Sequence, residues 1–260
     1  MKYRTPGTPH TGIVRPKEGD LLVEEEQQEL YRSGVGMCMY LVKHSRPDIA
    51  NAVRELSKCM TGANRAAFKE LMRVIKFVLD TREYGLKLAP KWEDAMLWEL
   101  RIYSYNDWAG DKDNRKSITG FIIFLLGAPI LWRSKAQASV ALSSTEAEFY
   151  ALSEAAKEIK FIVQVLISMG IPVKLPVIVR VDNVGAIFMS ENSSTSSRTK
   201  QVDTRYHFVR EFVEAEFVKI IFVRSEDNIS DPFTKNSPGN IYEEHTAKFV
   251  AQKEQMLNSD

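Results

Sequence analysis

The chain of 260 residues contains 35 Lys and Arg and 34 Asp and Glu, and hydrophobic residues make up 44% of it. These values are typical of a globular protein with a sizeable buried core. The formal net charge of +1 excludes a global positive field, so any surface for a polyanion has to be a local patch. The two cysteines are too few for a disulfide framework or a cysteine-based zinc site.

The first third of the chain predicts an extended arm that leads into helices. Prolines and glycines are frequent in residues 1–30, which predict an extended amino-terminal arm and a helix start. Residues 31–92 predict a helical connection segment, in which one helix begins near Pro47 and another is capped by Asn64. A short strand is predicted at residues 84–88.

From residue 97 onward, predicted strands alternate with predicted helices. Strands are predicted at residues 97–105, 117–126, 129–135, 176–181 and 217–223. A long helix capped at Ser143 follows the third strand, and shorter helices are predicted at residues 203–216 and 229–235. Residues 237–260 predict an amphipathic tail helix.

This order of elements resembles that of a ribonuclease H-like fold. Such a fold is an α/β architecture with a mixed five-stranded sheet and helices on both of its faces. We expect residues 97–236 to form this domain. Fold alone does not determine function, so function has to be inferred from the site.

Three acidic residues stand where carboxylates could converge on a hard cation. Glu148 lies in the first turn of the long helix, Asp182 ends a buried strand, and Asp231 opens the last short helix. Each acid also has a purely structural interpretation, as a charge that favours a helix dipole, as a turn residue or as a helix cap. Both interpretations stay open when each residue is taken alone.

Several blocks of the chain resemble the ribonuclease H domain of Ty1/copia-class retroelements. The blocks are Arg115-Lys116-Ser117-x-Thr119-Gly120-Phe121, Trp132-Arg133-Ser134-Lys135, Ala141 to Glu148, and Arg198-Thr199-Lys200 followed by Asp203-x-Arg205-Tyr206-His207-Phe208. Ser45 to Ala50 is similar to the segment that joins the reverse transcriptase of this family to its ribonuclease H. The resemblance covers roughly residues 30–236 and implies a fragment of a retrotransposon polyprotein.

The resemblance also implies a reaction, a cofactor and a set of ligands. Members of this family hydrolyse the RNA strand of RNA–DNA hybrids with two divalent cations, so magnesium (Mg2+) is the expected cofactor. Glu148, Asp182 and Asp231 correspond to metal ligands of the family, and Asp107 is a further candidate catalytic acid.

One position departs from the family where its first metal-bridging aspartate stands. The family strand reads Tyr-Ser-Asp-x-Asp-[Trp/Tyr]-Ala-Gly, whereas this chain reads Tyr103-Ser104-Tyr105-Asn106-Asp107-Trp108-Ala109-Gly110. A phenol is neutral at pH 7 and is a poor magnesium ligand beside a carboxylate. Asp107 lies on the same strand face about 6.6 Å away, at roughly 3.3 Å per residue, so it can replace the aspartate only through a bulge or a slipped strand.

A second departure is Gln201, which stands where the family usually has a histidine. Basic and polar residues that could contact phosphates and sugars of a nucleic acid are Arg115, Lys116, Arg133, Lys135, Ser144, Asn183, Arg198, Lys200 and Arg205. A solvated positive face is the alternative interpretation of each basic cluster.

Three functions remain open from the sequence. The first is a ribonuclease H-like domain whose hydrolysis of RNA–DNA hybrids is impaired by Tyr105. The second is a domesticated non-catalytic subunit, which would serve as a nucleic-acid-binding or scaffold protein of a larger complex. The third is a translated relic without a role.

The sequence also bears on cellular location. No apolar run approaches the length of a membrane span, and the first residues lack the apolar core of a secretory signal. We therefore expect an intracellular protein of the cytosol, the nucleus or an organelle matrix that is not secreted and has no membrane partner.

Overall fold

The structure is a computed structural model that describes residues 5–88, 97–185, 187 and 200–252. Its amino-terminal part is helical. It contains α1 (Glu25–His44), a 3₁₀ turn (Pro47–Ile49), α2 (Ala50–Ser57), α3 (Arg65–Asp80) and the short strand β1 (Tyr84–Leu86). The side chain of Asn64 caps α3 by accepting a hydrogen bond from the backbone N–H of Ala67 at 2.9 Å, as the sequence predicts.

The remainder of the chain alternates strands and helices. Its elements are β2 (Leu100–Asp107), β3 (Ile118–Leu125), β4 (Ala128–Ala136), α4 (Ser144–Ser168), β5 (Val177–Val181), α5 (Lys200–Glu214), β6 (Val218–Phe222), 3₁₀ turns at Ser225–Asp227 and Asp231–Phe233, α6 (Gly239–Thr246) and β7 (Val250–Gln252).

Five of these strands form one mixed sheet in the order β4-β3-β2-β5-β6. The strands β2, β3 and β4 pair antiparallel, whereas β5 pairs parallel with both β2 and β6. The chain therefore has the ribonuclease H-like fold that its element order predicts.

Hydrophobic cores cover both faces of the sheet. On one face, α4 packs against β2 and β3 through a core that includes Ile102, Phe121 and Phe149. On the other face, Ile122 and Phe233 belong to a second core. The interior strand β3 is buried along nearly its whole length, because its alternate side chains enter the two cores in turn.

The amino-terminal helices have a third core and are attached to the sheet by hydrogen bonds. Tyr31, Leu56 and Leu71 are among the buried residues of this core. The indole N–H of Trp132 on β4 donates to the carbonyl of Val42 at 2.7 Å. The helical segment therefore packs directly against the second face of the sheet.

Three details differ from the predicted elements. The helix α1 begins at Glu25, so the extended arm ends earlier than residue 30, and two acids in the first turn favour this start. The predicted helix at residues 229–235 is only the 3₁₀ turn Asp231–Phe233. The predicted tail helix is wrong beyond α6, because β7 pairs antiparallel with β1, and residues 253–260 lie outside the described residues.

In the part of the chain that the structure describes, none of the helices combines the length and the apolar character that a membrane span requires.

Candidate active site

The two faces of β2 carry different parts of the candidate site. Successive side chains of a strand point to opposite faces of a sheet. Ile102 belongs to the core beneath α4, whereas Tyr103 packs beside the core on the other face. The hydrogen bonds at the end of the strand follow this alternation, because Asn106 bonds to a side chain of α4 and Tyr105 bonds to Lys235.

Glu148 reaches the site from α4 and is fully buried. The helix begins after Ser143, whose hydroxyl accepts a hydrogen bond from a first-turn N–H at 3.1 Å. The Oε2 atom of Glu148 accepts a hydrogen bond from Nδ2 of Asn106, and Oε1 has no hydrogen-bond partner among the described residues. Burial and the charge of Asp182 raise the pKa of Glu148 to about 8, although the Asn106 hydrogen bond acts in the opposite direction. Burial therefore favours the protonated form of the Glu148 carboxyl.

Asp182 follows β5 directly, at the carboxyl end of the parallel strands where ligands of α/β sheets gather. Its Oδ2 atom accepts a hydrogen bond from the hydroxyl of Ser225 at 2.6 Å. Burial raises the pKa of Asp182, while the Ser225 hydrogen bond and the charge of Lys235 oppose the rise. The Asp182 charge raises the pKa of both Glu148 and Tyr105. The charge of Asp182 therefore acts on ionisable groups on both faces of β2, Glu148 on one face and Tyr105 on the other.

Asp231 begins the 3₁₀ turn Asp231–Phe233, which packs against β3. Gly120 permits this approach, because a Cβ atom at that position would lie 2.8 Å from Cβ of Phe233. Asp231 is 4% exposed. Its Oδ1 atom accepts from the ammonium of Lys235 at 2.6 Å, and its Oδ2 atom accepts from the hydroxyl of Ser237 at 2.6 Å. Both oxygens of this carboxylate are thus bound within the protein.

Lys235 joins Asp231 to Tyr105. The Lys235 ammonium donates to the phenol oxygen of Tyr105 at 3.2 Å and lies 5.0 Å from the centroid of its ring. Burial raises the pKa of Tyr105 above its ordinary value, although Lys235 opposes the rise. Burial alone would lower the pKa of Lys235, but the contacts with Asp231 and Tyr105 raise it. The phenol is therefore neutral and the ammonium charged at neutral pH.

Asp107 is partly buried at the end of β2, on the same strand face as Tyr105. Burial raises the pKa of Asp107, and the positive charges of Lys235 and Arg54 act in the opposite direction. Asp107 pairs with Ile118 in a regular register, without the bulge or slipped strand that replacement of the missing aspartate would require.

Comparisons with known proteins identify the family. No protein-family model matches the chain. The chain is 35% identical over 205 residues, 79% of its length, to the "Retrovirus-related Pol polyprotein from transposon RE1" of Arabidopsis thaliana. It is 37% identical over 213 residues, 82% of its length, to the corresponding polyprotein from transposon TNT 1-94 of Nicotiana tabacum. Homologues of the chain are therefore Ty1/copia-type Pol polyproteins of retrotransposons.

The chain corresponds to one segment of Pol, since it spans only 14% and 16% of these two relatives. Among solved structures, LC11 ribonuclease H1 isolated from compost aligns with 52% of this chain and 92% of its own, at 15% identity and a TM-score of 0.41. The strand order of the sheet, rather than this alignment, establishes the ribonuclease H-like fold.

With Tyr105 in place of the family's aspartate, the described side chains of this Pol segment do not fit the magnesium centre that the resemblance implies. Within residues 5–88, 97–185, 187 and 200–252, no three His, Cys, Asp or Glu side chains are grouped so that they could hold a metal ion. Glu148 approaches β2 from one face of the sheet, whereas Asp231 lies on the other face with a lysine ammonium beside it. A magnesium centre needs several converging oxygen ligands, and this arrangement does not provide them.

Some of the predicted nucleic-acid-binding residues are available at the surface of the Pol segment. Arg115 and Lys135 are exposed, and Lys116 is half-buried beside Arg115 in the β2–β3 connection. Ser144 is exposed at the first position of α4, and Asn183 is half-buried after β5. Their role in binding nucleic acid stays a prediction.

Other predicted nucleic-acid residues are engaged within the protein. The guanidinium of Arg133 donates to Glu158 at 2.6 Å, so its charge is compensated. The guanidinium of Arg205 lies 3.9 Å from the ring centroid of Tyr150, in a cation–π contact. Outside the described residues lie Arg198 and the side chains of Lys200 and Gln201.

The internal donors of the site, Lys235, Asn106 and Ser225, were not among the predicted site residues. Lys235 follows Asp231 by four residues, and this spacing is a recognisable signal for an ion pair on one turn. Asn106 adjoins Tyr105, so strand alternation alone predicts that it faces α4. Ser225 gives no local signal, because it is 43 residues from Asp182, its partner in the hydrogen bond.

Proposed function

We propose that this Pol segment is a ribonuclease H-like domain that binds RNA–DNA hybrids but has lost efficient hydrolysis of their RNA strand. One observation carries the proposal. At the position of the metal-bridging aspartate of the family stands Tyr105, whose hydroxyl accepts a hydrogen bond from Lys235 at 3.2 Å.

The chemistry of a phenol supports the loss of hydrolysis. Two-metal hydrolysis depends on carboxylates that hold both cations beside the attacking and the leaving oxygen. The Tyr105 phenol has a raised pKa and contributes no negative charge at neutral pH. Burial also raises the pKa of Glu148. The position of the metal-bridging aspartate therefore lacks the charge that would attract Mg2+.

The exposed basic residues support the retention of hybrid binding. Arg115 and Lys135 remain exposed, and a chain with a net charge of only +1 needs such a local patch to bind a polyanion. Contacts from these residues to phosphates would be independent of base sequence and sensitive to salt. Removing the catalytic carboxylate does not remove these contacts.

A hybrid-cleavage assay tests the loss of hydrolysis. The natural chain, Tyr105→Asp and the control Tyr105→Phe are incubated with an RNA–DNA hybrid in Mg2+ and in Mn2+. We expect cleavage above background for Tyr105→Asp alone, because only this variant restores a carboxylate. Cleavage by the natural chain at the rate of Tyr105→Asp would refute the proposal.

Fluorescence anisotropy with a labelled hybrid tests binding separately. We expect the natural chain to bind the hybrid. Charge reversal at Arg115 and Lys135 should lower the affinity and should also make the affinity less dependent on salt concentration. An absence of binding at low salt would contradict this part of the proposal and favour a non-catalytic subunit of a larger complex.

A further inference from the structure

Lys235 contacts both an acid and the phenol of the candidate active site. Its ammonium lies 2.6 Å from Oδ1 of Asp231 and 3.2 Å from the hydroxyl of Tyr105. The Asp231 side chain is only 5% exposed, whereas that of Lys235 is 43% exposed. The stem of Lys235 therefore reaches in from the surface, and its charged end meets a buried carboxylate.

The influence of the ammonium extends to two further carboxylates. Burial raises the pKa values of Asp107 and Asp182, and the charge of Lys235 opposes both rises. One positive charge thus acts on Asp107, Asp182 and Asp231 together. A divalent cation would provide the same electrostatic compensation in a metal-dependent site.

Other donors bind three of the carboxylate oxygens that Lys235 does not reach. Ser237 donates to the second oxygen of Asp231, and Ser225 donates to Asp182, each at 2.6 Å. Asn106 donates to Glu148. Asp231, Asp182 and one oxygen of Glu148 are therefore bound by donors within the protein, whereas the buried Oε1 of Glu148 has no partner among the described residues.

We propose that Lys235 is the resident cation of this site, and that its ammonium and a divalent cation compete for the same carboxylates. The inference rests on the proposed function, in which the natural chain has no competent metal centre, and it names the residue that compensates the acids instead. An ammonium is a compact point charge with three donors, and it repels a second cation placed beside the same carboxylates.

Titration of Mg2+ into two variants tests whether the Lys235 ammonium competes with Mg2+. Tyr105→Asp adds the missing carboxylate but keeps the ammonium, whereas Tyr105→Asp/Lys235→Met removes the ammonium and keeps a side chain of similar length. Affinity is measured from the rise of the melting temperature with Mg2+ concentration. We expect the double variant to bind Mg2+ at least about tenfold more tightly, since the competing charge is gone.

The control is Tyr105→Asp/Lys157→Met, which removes the ammonium of an ion pair on α4 that has a separation of 2.7 Å. It should bind Mg2+ as Tyr105→Asp does. Equal affinity of the Lys235→Met double variant and Tyr105→Asp would overturn the inference, and so would an absence of Mg2+ binding by both. Circular dichroism verifies folding, and Lys235→Gln replaces Lys235→Met if the latter does not fold.

A second measurement uses the natural Tyr105 background. Lys235→Met should lower the melting temperature by about 5 °C more than Lys157→Met, because it leaves Asp231 buried without its counter-charge. Millimolar Mg2+ should restore part of this loss in Lys235→Met and should leave the natural chain unchanged. An equal loss in both variants would overturn the role of Lys235. Cleavage of hybrid by the natural chain would instead overturn the proposed function, so the two failures are distinguishable.

Discussion

Replacement of Glu148 by glutamine should change how the stability of the protein depends on pH. The carboxyl is fully buried, and its pKa rises from 4.5 to about 8. An acid with a raised pKa in the folded state keeps a proton that the unfolded chain releases. The contribution of Glu148 to the free energy of unfolding is therefore fully present below about pH 4.5, falls as the pH rises towards 8, and stays constant above that.

The magnitude follows from the size of the shift. Each unit corresponds to about 1.4 kcal/mol, so ionisation of Glu148 costs the folded state up to about 5 kcal/mol above pH 8. Glu148→Gln keeps the shape of the protonated acid and can still accept the hydrogen bond from Asn106. We expect the variant to match the natural chain near pH 5 and to exceed its stability increasingly up to pH 8.5.

Urea denaturation between pH 5 and pH 9 measures this difference. Burial raises the pKa values of Asp107 and Asp182 as well, and both proteins carry these two groups. The difference between the two curves isolates Glu148. The exposed Glu214 at the end of α5 offers a control, because Glu214→Gln should change stability by less than about 0.5 kcal/mol. Parallel curves for Glu148→Gln and the natural chain would refute the reasoning.

Three further substitutions test how the fold is held, with urea denaturation as the measurement. Asn64→Ala should cost about 1 kcal/mol through loss of the 2.9 Å cap hydrogen bond of α3, and an unchanged midpoint would contradict this role. Gly120→Ala should cost about 1–3 kcal/mol, since its Cβ atom would lie 2.8 Å from that of Phe233; a neutral result would show that the turn yields easily. Arg46→Met should cost about 3–5 kcal/mol because it leaves Asp48 buried without its 2.7 Å ion pair, and a loss below 1 kcal/mol would argue that neutral donors suffice.

Much of the fold could be predicted from local patterns. The alternation of apolar residues marks the strands of the sheet, and the polar caps at Asn64 and Ser143 mark the starts of α3 and α4. These signals are local because they depend on side chains within one or two turns of each other. The strand β7 was not predicted, since three residues become a strand only through pairing with the distant β1.

The amino-acid sequence by itself determined the order of strands and helices, the Ty1/copia resemblance, and the presence of a phenol at position 105. Tertiary structure decided which groups meet that phenol. Lys235 lies 130 residues from Tyr105 along the chain, and their contact forms only because the 3₁₀ turn Asp231–Phe233 packs against β3. Strand alternation places Asn106 and Tyr105 on opposite faces of β2, but only the packing of α4 on the sheet brings Glu148 to Asn106. Contacts between distant segments depend on how the layers pack, and local residue patterns do not encode that packing.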